Sequence, residues 1–186
     1  ILNLYTEVSM KFCRKFIFLM LFLTGNIVSA KSFSLQVIQK NGAENIVYNA
    51  SYLVEQTIMD YFFENAYIVS NSPVIIEKKN ESITAELQKS FDAAQEGCLD
   101  YIIEATIFYN LENSNNPEEA LISNIDKIEW KVFSLNDRQL IANGKSVPQK
   151  YRNDDESLVF FANEIAQNIQ KVIETKGGKK KKKYLV

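Results

Sequence analysis

The sequence predicts an α+β domain, a two-layer sandwich with helices on one face of a mostly antiparallel sheet. Three observations favour it: several segments carry the apolar pattern of strands, others carry the three-and-four spacing of amphipathic helices, and the two kinds are interspersed before a closing meander and helix. The predicted element order is β-α-β-α-β-β-β-α. The 186-residue chain is long enough for one core of this kind.

The amino-terminal half begins with a strand and a helix. Residues 33–37 alternate apolar and polar side chains, which predicts a strand with one buried face. Asn41 and Gly42 form a turn signal after it. The helix that follows places its apolar residues on one face: Val54, Ile58, Tyr61 and Phe62. Asn65 is suited to end this helix because asparagine tolerates the left-handed conformation.

A second strand and helix come next. Tyr67–Val69 predicts a short strand that continues at Val74–Ile76, and Pro73 makes it bent or places it at an edge because proline cannot donate to a ladder. A helix is predicted from Ser82 to Glu96, ending at Gly97. Its buried stripe consists of Ile83, Leu87, Phe91 and Ala94.

The carboxyl-terminal half predicts the meander and the last helix. Residues 98–111 have apolar side chains on both faces, with Glu104 among them, which is typical of a central strand. Residues 128–133 and 140–142 form a hairpin around a turn at 136–137. A long helix is predicted over 157–175. Its apolar stripe consists of Leu158, Phe161, Ala162, Ile165, Ile169, Val172 and Ile173.

Residues 10–30 have the order of a secretory signal peptide. A basic front is followed by an unbroken apolar run at 16–23 and by small residues up to Ala30, where cleavage is predicted. Residues 1–9 precede the first Met and are interpreted as upstream sequence or an artefact. A retained anchor is the alternative, although a span needs about 20 apolar residues. The predicted organisation is therefore a leader (10–30), a single domain (31–176) and a disordered lysine-rich tail (177–186).

The residue types argue against most catalytic chemistry. The chain has no His, which removes the commonest general base and most zinc sites. It also lacks a glycine-rich phosphate loop. We therefore predict no enzyme activity and no catalytic, cofactor-binding or metal-binding residue. The alternative is a carboxylate-dependent hydrolase of an envelope glycan or phosphoester, using Glu118-Glu119 or the acids at 154–156.

Cys98 and three aromatic residues leave alternatives open. Cys98 would be the only thiol after cleavage, and we predict a small buried packing residue rather than a nucleophile. Tyr52, Phe63 and Phe160 fall off the predicted core stripes. They predict either additional core burial or a patch that binds a partner.

Charge is unevenly distributed along the chain. Residues 31–175 contain 12 Lys and Arg against 22 Asp and Glu, a net charge of −10. This acidic body argues against a nucleic-acid partner, since phosphate binding needs a basic surface. The tail carries five consecutive lysines: Lys179, Lys180, Lys181, Lys182 and Lys183. They could bind an acidic polymer or anionic lipid headgroups, the latter at about 1 kcal/mol each, or they could form a solvated tail that keeps the chain soluble.

Two stretches carry a family resemblance. They are LVEQTIMDYFFENAYIVSNSP at 53–73, and DYIIEATIFYN with IEWKVFSLNDRQLIANG between 100 and 144. With the closing helix, residues 33–175 resemble the small α+β domain of penicillin-binding-protein activator lipoproteins, curli-export-type lipoproteins and the amino-terminal domain of TolB. The chain departs from the lipoproteins because Cys13 precedes the apolar run, so there is no lipidation Cys after it.

The resemblance implies a non-catalytic domain of the bacterial envelope that binds another protein. With the leader, it predicts an exported protein of the periplasm or the outer-membrane periphery. The expected partner is an envelope protein of unknown identity. Membrane-surface binding through the lysine tail is a further alternative to protein contact.

Overall fold

The protein is described by a computed structural model over residues 30–78, 81–112, 114, 116–149 and 155–177. The helices and strands are β1 (Ser32–Lys40), α1 (Asn49–Glu64), β2 (Ile68–Glu77), α2 (Thr84–Glu96), β3 (Tyr101–Tyr109), β4 (Ile125–Ser134), β5 (Gln139–Ser146) and α3 (Asp155–Gly177). A short 3-10 turn, Ile122–Asn124, precedes β4. The predicted α+β class and element order are confirmed.

The five strands form one mixed sheet in the order β2-β1-β3-β4-β5. β1 is parallel to both β2 and β3, whereas β3, β4 and β5 form the predicted antiparallel meander. The parallel half arises because α1 and α2 each connect two strands by a crossover, which returns the chain in the same direction. The sheet thus holds two parallel and two antiparallel pairings, where the sequence favoured mostly antiparallel ones.

Helices lie on both faces of the sheet, rather than all on one face as predicted. α1 and α3 pack together on one face, and α2 packs on the other. The handedness of crossovers explains this difference. The chain moves from β1 to β2 in one direction along the sheet and from β2 to β3 in the opposite direction, so two right-handed connections place their helices on opposite faces.

The main core fills the space between the sheet and the pair formed by α1 and α3. Its largest fully buried side chains include Phe33, Leu35, Ile58, Phe62, Ile103, Ile107, Ile128, Leu158, Ile165 and Ile169. The predicted stripes of α1 and α3 supply most of the helical contribution. Within the described residues, both cores are formed between Phe33 and Ile173, so a chain beginning at Lys31 retains all of these side chains.

β1 is buried on both faces, whereas the sequence predicted one buried face. Ser34 and Gln36 are buried on the α2 side because β1 lies at the centre of the parallel half. The amide of Gln36 is satisfied there, since its Oε1 accepts from Ser90 of α2 and its Nε2 donates to the carbonyl of Pro73 at 2.9 Å. Polar residues in a strand therefore need not face water when a helix supplies their partners.

α2 packs on its face of the sheet through a small core. A small second core joins Ala94, Ile102 and Leu135, and the rings of Phe91 and Phe133 meet edge to face at 5.2 Å. β2 runs along the outer edge with a register shift opposite Gln36 to Ile38, next to Pro73, as the proline predicted.

The turns after α1 and α2 each use a non-glycine residue in the left-handed region. Asn65 and Gly97 are the C-caps, as predicted, but the left-handed residues are the next ones, Ala66 (φ 61°) and Cys98 (φ 53°). Cys98 is exposed, so the prediction of a buried packing residue is wrong. The turn projects its side chain outward while Leu99 N–H bonds back to the carbonyl of Ala94 at 3.1 Å.

Candidate functional site

A cleft of about 880 Å³ opens at the edge of the sheet where β1, β2 and β3 end. We call it the carboxyl-edge cleft. It is lined by Lys40, Asn41, Gly42, Glu44, Glu77, Lys78, Tyr109, Asn110, Leu111, Glu112 and Asp126. Because the three strands are parallel, the residues that follow each of them meet at one edge.

The position of the cleft follows from the topology. The loop after β1 leads to α1 on one face, and the loop after β2 leads to α2 on the other. Loops that diverge in this way leave a crevice outside the carboxyl ends of the strands, which is where open sheets with parallel strands bind ligands. The topology therefore makes this cleft a candidate ligand-binding site.

A buried polar network supports the β1–α1 loop beside the cleft. Gln39 Oε1 accepts from the backbone N–H of Tyr48 at 2.9 Å and from Ser51 Oγ at 3.2 Å, while Gln39 Nε2 donates to the carbonyl of Ile46 at 2.8 Å. Tyr48 in turn accepts from the backbone N–H of Ala43 at 2.9 Å. These bonds hold the β1–α1 loop against the end of β1, so this wall of the cleft has a defined conformation.

Tyr109 joins this network to β3. Its hydroxyl lies 2.8 Å from Ser51 Oγ, and its ring meets that of Tyr48 edge to face at 4.9 Å. Burial raises the pKa of the Tyr109 hydroxyl well above its usual value, so this group stays protonated and acts as a hydrogen-bonding wall rather than as a base.

Gly42 and Asn41 form the tight turn that the sequence predicted. Asn41 has φ 59°, in the left-handed region. A Cβ at Gly42 would come within 2.8 Å of the Tyr48 ring, so the turn needs glycine there for the loop to pack on the tyrosine.

The cleft carries more negative than positive charge. Its carboxylates are Glu44, Glu77, Glu112 and Asp126, against the two ammonium groups of Lys40 and Lys78. Lys40 Nζ lies 2.8 Å from Glu77 Oε1. The remaining charge favours a cationic group, which carboxylates bind through charge-assisted hydrogen bonds.

Phe108 borders this site on the α2 side of the sheet. Lys40 Nζ lies 5.5 Å and Lys127 Nζ 4.0 Å from the centre of its ring. Both ammonium groups lie over this aromatic face, and Lys40 also lines the cleft beside Glu77.

The acids that the sequence suggested for a hydrolase do not lie in the cleft. Glu118 and Glu119 are exposed in the loop between β3 and β4, and Asp155 and Glu156 are exposed at the start of α3. None of these four lines the cleft. Asp154 lies outside the described residues.

Glu104, the charge within the central strand, is also outside the cleft. It is 5% exposed and its Oε2 lies 3.4 Å from Lys131 Nζ on β4, the residue paired with it across the sheet. Its burial and its position opposite Lys131 favour a structural ion pair.

The described part of the chain offers no obvious metal site and no membrane span. Among these residues, no group of three or more Cys, Asp or Glu side chains is placed to hold an ion. None of the described helices is both long enough and apolar enough to cross a bilayer.

The predicted leader boundary and tail can be placed only in part. Ala30 is exposed and lies two residues before β1. Lys179, Lys180, Lys181, Lys182 and Lys183 lie outside the described residues, as does most of the leader.

The three aromatic residues that fell off the core stripes are exposed. Tyr52 is 52%, Phe63 70% and Phe160 55% exposed, so they do not supply additional core burial. Tyr52 and Phe63 lie at opposite ends of α1.

The cleft itself was not predicted from the sequence. Its residues come from four separate segments and are individually ordinary polar side chains. The sequence did hold one indication of the cleft. Asn41, Lys78 and Asn110 are each the first residue after a strand. Using it required knowing that the three strands are parallel neighbours.

A family model described as "Uncharacterised protein" matches residues 32–174. The chain matches no curated protein sequence. It is similar to several solved structures. A lipoprotein, GNA1162 from Neisseria meningitidis, has 12% identity and a TM-score of 0.44, with 76% of this chain and 99% of that one covered.

Two further similar structures are the LpoB C-terminal domain from Salmonella enterica and TolB from Acinetobacter baumannii. The first has 14% identity and a TM-score of 0.41, covering 69% of this chain and 90% of that one. The second has 9% identity and a TM-score of 0.40, covering 78% of this chain and 28% of that one. These structures include a lipoprotein, the LpoB domain and TolB, which are the kinds of protein that the predicted resemblance named.

Proposed function

For this chain, which belongs to the family whose model matches residues 32–174, we propose a binding function. It is an exported protein of the bacterial envelope that acts by contact with another protein, and it is not an enzyme. The carboxyl-edge cleft receives a basic segment of that partner. The observation that carries this proposal is the excess of carboxylates in a cleft at the ends of three parallel strands.

The chemistry of the cleft supports a lysine or arginine side chain as the bound group. Carboxylates enter from the β1–α1 loop (Glu44), the end of β2 (Glu77), the residues after β3 (Glu112) and the start of β4 (Asp126). Acids on several sides can surround one cationic head, while Asn41 and Asn110 can bond to the peptide that carries it.

The charge of the whole domain favours the same kind of partner. The net charge of −10 over residues 31–175 attracts basic surfaces over long distances and repels nucleic acid. This attraction speeds the encounter, and the cleft then provides the specific contact.

Export is supported by the leader and by the position of Ala30. Residues 10–30 read as a signal peptide, and Ala30 is exposed just ahead of β1. Cleavage there would leave the core intact because the first core residue is Phe33.

Site-directed photocrosslinking in intact cells tests the proposal. A photoreactive residue replaces Asn110 in the cleft, and the control replaces Gln56, which is exposed on the outer surface of α1. We expect one envelope protein to crosslink at position 110 and not at position 56, with a yield that falls as salt is raised.

Charge reversal sharpens the test. Glu112→Lys with Asp126→Lys should abolish the crosslink, whereas Asp60→Lys with Glu96→Lys, an equal change of net charge away from the cleft, should leave it. Equal crosslinking at 56 and 110, or the same loss with both double variants, would contradict a cleft-specific contact.

A further inference from the structure

Lys40 lies where the cleft, the sheet and an aromatic ring meet. It is the last residue of β1, and its register partners are Glu77 on β2 and Phe108 on β3. Phe108 is paired in turn with Lys127 on β4. These four residues therefore form one row across four neighbouring strands, at the edge of the sheet where the carboxyl-edge cleft opens.

Within this row, the ammonium group of Lys40 occupies one carboxylate of the cleft. Its Nζ lies 2.8 Å from Glu77 Oε1, which is the distance of a charge-assisted hydrogen bond. The side chain of Lys40 is 36% exposed and that of Glu77 is 27% exposed, so a cation from outside can reach the pair. Both residues line the cleft. The cleft thus holds a cation of its own at Glu77.

The other ammonium groups near this edge have different partners. Lys78, the second lysine of the cleft, lies 3.3 Å from Glu81 Oε2. Lys127 lies 2.5 Å from Glu129 Oε1. Among the residues that the structure describes, Lys40 is therefore the cation that pairs with Glu77.

Phe108 gives the Lys40 ammonium group a second contact. Lys40 Nζ lies 5.5 Å from the centre of the ring, within the reach of about 6 Å at which a cation is attracted to an aromatic face. Lys127 Nζ lies closer to the same ring, at 4.0 Å, and like charges repel. The ring is therefore the weaker of the two contacts of Lys40. An ammonium group that leaves Glu77 still keeps this contact.

We propose that Lys40 is a built-in competitor of the ligand of the carboxyl-edge cleft, and that Glu77 is the carboxylate for which the two compete. This inference rests on the proposed function, in which the cleft receives a basic segment of a partner. The lysine or arginine of that segment replaces Lys40 at Glu77, and the Lys40 ammonium group moves towards Phe108. The competition weakens binding of a single cation, so a partner must also contact the other carboxylates of the cleft.

A peptide titration followed by NMR tests the proposal. The probe is the acetylated peptide Gly-Arg-Gly-Arg-Gly, and the same peptide with citrulline in place of arginine is the uncharged control. The side-chain amides of Asn41 and Asn110, which line the cleft, report binding. Lys40→Gln should strengthen binding of the arginine peptide about two- to fivefold, the range expected when one partly exposed ion pair no longer competes.

Two other lysines provide matched controls for the change of charge. Lys78→Gln removes the same charge from the cleft and leaves the pair of Lys40 and Glu77 intact, so it should strengthen binding less than Lys40→Gln does. Lys171→Gln removes the charge from an exposed position on α3 outside the cleft. This variant should bind like the parent chain.

A double-mutant cycle separates competition at Glu77 from a general effect of charge. In a Glu77→Gln background the ion pair is absent, so Lys40→Gln should change the affinity no more than Lys78→Gln does. In the parent chain Lys40→Gln should have the larger effect. Equal effects of Lys40→Gln in the two backgrounds would overturn the proposal, because Lys40 would then not act through Glu77.

The outcomes distinguish this inference from the proposed function. If the parent chain binds the arginine peptide, but Lys40→Gln binds it no more tightly than Lys78→Gln, the competition is wrong and the function of the cleft stands. If the parent chain and Lys40→Gln bind the arginine and citrulline peptides equally, both proposals are wrong. Thermal unfolding checks that the fold is retained. If Lys40→Gln unfolds early, Lys40→Met, which keeps an unbranched side chain beside Phe108, replaces it in every comparison.

Discussion

The indole ring of Trp130 packs against Gly144 on the neighbouring strand. The two residues are partners in the β4–β5 pairing, and a Cβ at Gly144 would come within 2.3 Å of Trp130 Cζ2. Trp130 is 7% exposed, and its ring occupies the space that a side chain at position 144 would fill. A glycine inside a strand here marks the close approach of an aromatic ring.

Gly144→Ala should destabilise the domain by about 1–3 kcal/mol, because the added methyl group would displace the indole ring. Urea unfolding followed by Trp130 fluorescence measures the change directly. Gly97→Ala is the control, since a Cβ there would meet its nearest atom at 3.4 Å. Equal effects at the two glycines would contradict the packing described for Trp130.

Ser51→Ala should cost about 1–3 kcal/mol, because it leaves the buried Tyr109 hydroxyl without this partner and removes a donor to Gln39. Chemical denaturation measures the free energy of unfolding. Ser70→Ala on the exposed edge strand should change it by less than about 0.5 kcal/mol. If Ser51→Ala is equally mild, the network does not stabilise the β1–α1 loop.

Glu55→Gln should stabilise the protein at pH 7. Burial raises the pKa of the Glu55 carboxyl above its ordinary value of 4.5, although the hydrogen bond from Asn71 opposes the shift. Because the folded-state pKa is raised, the contribution of Glu55 to stability is complete only below its unfolded-state pKa and is lost as the pH rises through the folded-state pKa. Glutamine keeps an acceptor for Asn71 and carries no charge.

Unfolding curves across pH check this prediction for Glu55. The difference between Glu55→Gln and the parent chain should be largest near neutrality and should vanish when the pH falls below about 4. Glu64→Gln, an exposed change on the same helix, serves as the control. A gain that persists undiminished in acid would show that ionisation is not its cause.

Ala66→Gly should stabilise the domain by about 0.5 kcal/mol, since Ala66 has a left-handed backbone that glycine adopts without steric cost. Ala93→Gly, an exposed position inside α2, should instead destabilise it by about 1 kcal/mol. Thermal unfolding of the two variants gives shifts of opposite sign if the backbone at position 66 is strained.

Local pattern was sufficient for much of the fold. The stripe of Val54, Ile58 and Phe62 and that of Leu158, Ile165 and Ile169 are fully buried, as their spacing predicted. The two faces of β3 and the edge position of β2 also followed from alternation and from Pro73. These features depend on residues close together in the sequence, so they can be predicted from local patterns alone.

What the sequence missed depends on contacts between distant segments. The position of α2 on the second face follows from strand order, which no local pattern contains. The burial of Ser34 and Gln36 follows from that position, since α2 covers them. The cleft arises for the same reason, because Glu44, Glu77 and Asp126 meet only once β1, β2 and β4 are placed.

The central place of β1 has a consequence for how the chain acquires its structure. β1 is the first strand, yet its partners come much later, Ile68 opposite Ser32 and Tyr101 opposite Phe33. A chain that emerges from its amino end, whether from a ribosome or from a translocation pore, cannot complete the sheet until more than half of the domain has passed. The sheet therefore depends on non-local pairings, which form later and more slowly than local ones.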